Sequence, residues 1–64
     1  WGEQNHCPAD WLTILMEEVG EAAKAALETR FWEKDDDYAK YRKECIHVAA
    51  VAIAMVECLD RGKW

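Results

Sequence analysis

The sequence predicts an all-α protein: an antiparallel helical hairpin that forms part of a four-helix-bundle-type oligomer. Three observations predict it. Two long stretches of good helix formers, from Ala9 to about Arg30 and from about Tyr38 to Arg61, flank a single polar break, "FWEKDDD" at 31–37. The second stretch is apolar nearly all round over 48–56, "VAAVAIAMV", which one neighbouring helix cannot cover. The chain has 64 residues, a size at which only roughly 60% of the unfolded surface is buried and a lone domain is marginal. The reading is one domain over residues 1–64, its cover completed by flanking helices, by a second copy, or by both.

Residues 1–8 are polar and end in Pro8, as in a loop leading into a helix. "CPAD" fits a helix start, since proline is tolerated in the first turn and Asp10 favours the positive end of the dipole. In the first helix the apolar positions 11, 12, 15, 19, 22, 23, 26 and 27 recur at helical spacing. Glu18 and Glu21 fall on an adjoining strip with Ile14 and Ala25. Gly20 is the one weak helix former. The aspartates at 35–37 suit a loop running into a helix N-terminus. Gly62 is placed to end the second helix. The many alanines in both helices permit close approach.

Thirteen acidic against eight basic residues give a net charge of −5. That balance argues against a nucleic-acid binder, which presents a basic surface, and suits carboxylate ligation of a divalent cation. The cysteines, Cys7, Cys45 and Cys58, are odd in number and irregularly spaced, so neither a disulfide framework nor a CxxC zinc site is expected. The reading is a reducing, cytoplasmic setting with Cys45 and Cys58 as small core residues. The apolar run at 48–56 falls short of the about 20 residues that span a bilayer, so no membrane partner is expected. The sequence opens "WGEQNH", without a signal peptide or an initiator methionine, and is read as part of a longer chain.

The chemistry concentrates in "EEVGE" at 17–21 and "ECIH" at 44–47. Glu18 and Glu21 are three apart, as are Glu44 and His47, so each pair shares a helix face. In an antiparallel hairpin the two pairs converge near its middle. Three carboxylates and an imidazole between facing helices are a metal site in type, and oxygen ligands suit Mg²⁺ or Mn²⁺. Glu17, turned about 100° from Glu18, is placed to polarise a water or hold a second ion. The plainer alternative is a solvated acidic face. Lys24, Lys34, Lys40, Arg42 and Lys43 are candidate phosphate contacts or simply exposed charge. Trp32, at the break, is a candidate nucleobase platform, while Trp11 reads as core or oligomer packing. Asn5 and His6, just ahead of the first helix, are loop residues or substrate contacts.

"WGEQNH", "WLTILMEEVGEAAKA" and "YRKECIHVAAVAIAMVE" together resemble the MazG-like family, all-α nucleoside triphosphate pyrophosphohydrolases, in its small integron and phage type. The family pattern is EExxE, a spacer, then ExxD on two antiparallel helices; here 22 residues separate Glu21 from Glu44. The resemblance covers most of the chain. It implies an oligomeric helical bundle with Mg²⁺-dependent cleavage of an NTP or dNTP to the monophosphate and pyrophosphate; the uncovered segment 48–56 leads to a homodimer or homotetramer as the expected assembly. It implies Glu18, Glu21 and Glu44 as metal ligands and Glu17 as the leading glutamate of the motif; Glu17 is also placed to accept a proton from the attacking water. His47 stands where the pattern has Asp. A neutral imidazole can ligate, but it removes a negative charge and prefers softer ions than Mg²⁺. Two further readings stay open: a catalytically inactive helical module that oligomerises or binds a partner, and a carboxylate-bridged di-iron bundle, which wants ExxH on two helices where this chain has one.

Overall fold

The structure, a computed structural model, describes residues 4–32 and 37–63, with only the backbone of 29–32 and 37. Two helices, α1 (Pro8–Trp32) and α2 (Asp37–Asp60), pack against each other as a hairpin. All regular structure among the described residues is α-helix. Neither helix is long and apolar enough to cross a membrane. The break is shorter than the polar run 31–37 predicts. α1 continues through Phe31 and Trp32, and α2 already includes Asp37; aromatic residues are only mildly poor helix formers, and Asp suits a first turn.

The ends of the helices follow from local chemistry. The carbonyl of Cys7 accepts the first helical bond, from the Trp11 amide at 3.0 Å, so Pro8 occupies the first helical position, where its missing N–H costs nothing. Asp10 lies in the same turn. At the other end Gly62 adopts φ 70°. Its amide donates to Leu59 O at 2.9 Å and the Lys63 amide donates to Cys58 O at 3.2 Å. This paired 5→2 and 6→1 arrangement is a Schellman cap, which satisfies carbonyls that the helix leaves open.

The seam between the helices is narrow. α1 turns Trp11, Ile14, Leu15, Glu18, Ala22 and Ala25 inward or partly inward. α2 meets them with Glu44, His47, Val48, Val51, Ala54, Met55 and Cys58. Full burial is reached at Trp11, Ala25, Val51 and Cys58. Trp11 has the expected core role; its ring meets His6 edge-on at 4.8 Å, and its buried Nε1 has no hydrogen-bond partner among the described residues. Cys58 is core as expected, but Cys45 is exposed, because it lies about 100° round the helix from Glu44 and so off the seam.

The apolar periodicity of α1 divides between two faces. Trp11, Leu15 and Ala22 turn toward α2, whereas Leu12, Val19, Ala23, Ala26 and Leu27 remain exposed. The strip that holds Ile14, Glu18 and Ala25 takes their place in the seam. On one side of the hairpin, Val19, Ala22, Ala23 and Ala26 of α1 face Tyr41, Cys45 and Val48 of α2 across an open groove of about 360 Å³.

The two ends of the chain are tied together. Arg61 Nη2 donates to Gln4 O at 2.7 Å and to Asn5 Oδ1 at 2.9 Å, and its Nε donates to the same Asn5 oxygen at 3.3 Å. The buried Cys58 thiol has three acceptors in reach, Lys63 O at 3.1 Å, His6 O at 3.7 Å and Asn5 Oδ1 at 3.9 Å. Its single hydrogen serves one at a time.

Candidate metal centre

Glu18 enters the site because it shares the inward strip of α1 with Ile14 and Ala25. Glu44 and His47, three apart, share the inward strip of α2. Antiparallel packing brings the three together midway along the hairpin. His47 Nδ1 lies 3.5 Å from Glu18 Oε2 and 3.5 Å from Glu44 Oε2. One ligand atom from each residue lies within 4.8 Å of the other two. All three side chains are partly buried, Glu44 most deeply at 13% exposure.

Two carboxylates this close, partly screened from water, repel unless positive charge sits between them. A protonated His47 pairs with both. A neutral His47 leaves Nδ1 and the two carboxylates as a ligand set for a cation. The spacing fits the second case as well as the first. Ligand bonds of about 2.0–2.1 Å imply ligand-to-ligand edges of about 3.3 Å in a tetrahedral site and about 3.0 Å in an octahedral one; the two edges at His47 are 3.5 Å, and all three lie within 4.8 Å. The donor set fits a divalent first-row ion. It fits Mg²⁺ less well, since one of its three donors is an imidazole nitrogen.

The other expected site residues are placed as follows. Glu21 is exposed and outside the converging group, so two carboxylates converge where the spacing predicts three. The reason is rotation: Glu18 points into the seam, and a step of three residues carries Glu21 about 60° off it. Glu17 is exposed and borders a shallow depression with Leu12, Thr13 and Met16. Lys24, Arg42 and Lys43 are exposed. Lys40 Nζ bridges the helices to Glu28 Oε2 at 3.2 Å; such an exposed pair contributes about 0–1 kcal/mol. Lys34 and Trp1 lie outside the described residues, as does the side chain of Trp32. Asn5 and His6 serve the clasp to α2 and the packing on Trp11. That clasp was missed from sequence, and no local signal announces it, since its partners lie at opposite ends of the chain.

Comparison with known proteins returns nothing. No protein family, curated protein or solved structure matches the chain.

Proposed function

We propose that the chain is a divalent-cation-dependent nucleoside triphosphate pyrophosphohydrolase of the MazG-like type, working as a homodimer or homotetramer in which hairpins combine into a four-helix arrangement. The observation that carries the reading is the convergence of Glu18, Glu44 and His47 in the partly buried seam. Two carboxylates meeting in a partly buried seam need positive charge between them, and a bound cation supplies it together with a role in chemistry.

Glu18, Glu44 and His47 would hold the cation, Mg²⁺ or Mn²⁺ on the family resemblance. When bound, the cation offsets the negative charge of the pocket, engages phosphate oxygens and activates a water. The chain's own residues do the rest. Glu17 takes the proton of a water whose oxygen bonds to the α-phosphorus. The bond from that phosphorus to the α–β bridging oxygen breaks, and pyrophosphate leaves. Lys24 and Lys43 contact the phosphates; Lys34 and Trp32 are assigned to the phosphates and the base on the sequence reading alone.

A specific observation favours the runner-up, an inactive oligomerisation or binding module: Glu21 stands outside the group and His47 replaces Asp. The experiment that separates the two is a panel of NTPs and dNTPs assayed for pyrophosphate release with Mg²⁺ and with Mn²⁺, on wild type, Glu18→Gln and Glu44→Gln. The enzyme reading expects metal-dependent release that either substitution reduces at least a hundredfold. Release at equal rates in all three proteins, or in none under any condition, overturns it.

A further inference from the structure

We propose that the groove side of the hairpin is the surface on which a second copy of this chain docks, face to face. The inference rests on the self-association above and deepens it by assigning the surface.

The first argument is pattern. On α1 the exposed residues Leu12, Met16, Val19, Ala23 and Ala26 recur at steps of four, three, four and three, the spacing of a helix-packing seam. α1 already has one such seam, filled by α2. The second is left open to water, with Met16 62% and Leu12 53% exposed. Across the groove α2 adds Tyr41 and Cys45. Ala22, Ala23 and Ala26 keep the floor low, so a helix of another copy can approach to about 8–10 Å between axes.

The second argument is area. The chain exposes 4887 Å², whereas a folded monomer of 7.4 kDa exposes roughly 4200 Å². The excess of about 700 Å² is close to the about 800 Å² that each partner gives to a standard interface.

Charge selects the occupant. Each copy carries −5, so two copies associate only where acidic groups are not opposed. Among the described residues no Asp, Glu, Lys or Arg lines the groove; Glu21 and Glu28 lie on other strips of α1, and Glu17 borders Leu12 and Met16 only at the far edge of the stripe. Among the described residues its lining also carries no Lys or Arg of the kind that an anionic lipid surface selects.

The test is sedimentation equilibrium over micromolar to submillimolar concentration, with helicity followed by circular dichroism. Wild type is expected to sediment at twice the chain mass. Ala23→Lys and, independently, Ala26→Glu place a charge at exposed groove positions without harming helix propensity, and should weaken association at least tenfold while the chains stay helical. Ile53→Lys is the control. Ile53 is 60% exposed but lies about 80–120° round α2 from Cys45 and Tyr41, so association should persist. A wild type that is monomeric throughout overturns both this proposal and self-association. An oligomer that survives both groove variants, or that Ile53→Lys dissociates equally, overturns the assignment of the face and leaves self-association standing.

Discussion

His47 stands 3.5 Å from a carboxylate oxygen on each helix, and its identity sets what the site prefers. Imidazole nitrogen suits Mn²⁺, Co²⁺ or Zn²⁺ better than Mg²⁺, which wants oxygen. The wild type should bind Mn²⁺ more tightly than Mg²⁺, and His47→Asp should narrow that gap by about tenfold or more. Isothermal titration with each ion reads this directly, and an unchanged ratio removes His47 from the ligand set. Glu18→Gln should abolish binding. Glu21→Gln should weaken it less, since Glu21 is exposed and outside the group; equal losses would show that Glu21 joins when the ion arrives. A second residue responds to pH. Tyr41 is held above the ordinary tyrosine value by its hydrogen bond with Cys45, then by the charge of that thiol, then by slight burial. A raised folded value means the native state keeps a proton that the unfolded chain has lost, so stability falls as pH rises from about 10 to the folded value and is untouched below. Cys45→Ala should bring the tyrosinate absorbance of Tyr41 to lower pH; no movement would assign the shift elsewhere.

At the scale of the helix, two glycines of opposite sign test the reading. Gly20 sits mid-helix in α1 with nothing within 4 Å of a Cβ placed on it. Gly20→Ala should therefore stabilise the fold by about 0.5–1 kcal/mol. Gly62 has equal room, yet its φ of 70° belongs to the left-handed region. Gly62→Ala should cost about 1–2 kcal/mol through the backbone alone. Urea denaturation of the two variants checks both signs; a neutral Gly62→Ala would mean that the cap frays in solution. These elements were largely legible in the sequence. Proline, aspartate and Gly62 place the helix ends within two residues of Pro8–Trp32 and Asp37–Asp60, because caps are local chemistry. The meeting of Glu18 with Glu44 and His47 was also legible, since an antiparallel hairpin sets the middles of its two helices side by side. Which strip of α1 turns inward was not. Leu12, Val19 and Ala23 have the same period as Trp11, Leu15 and Ala22, and periodicity cannot choose between two adjoining apolar stripes of one helix. Glu21 stands outside the converging group for the same reason: about 60° of rotation carries it from the seam to the exposed face.

The whole molecule is a rod of 44 × 18 × 13 Å with a thin core, and its stability is coupled to whatever binds it. A cation that binds only the folded state at a hundred times its dissociation constant adds about 2.7 kcal/mol. In a domain this small, each kcal/mol moves the melting temperature by about 4–8 °C. Calorimetry across a Mn²⁺ titration should show the rise, and Glu18→Gln should lose it; a flat response in wild type would remove the site. The clasp of Arg61 and Cys58 on residues 4–6 has a consequence in time. Its partners are 52 to 57 positions apart, so closing it encloses nearly the whole chain, and loop-closure entropy grows with the length enclosed. The seam midway along the rod joins residues fewer positions apart, Glu18 to Glu44 and His47, and it forms earlier. The order reverses on opening: the pole that holds both ends lets go first while the centre stays shut. Amide hydrogens of Trp11, Gly62 and Lys63 should exchange with solvent well ahead of those near Val51, and Arg61→Ala should speed the first group while leaving the second at its original pace.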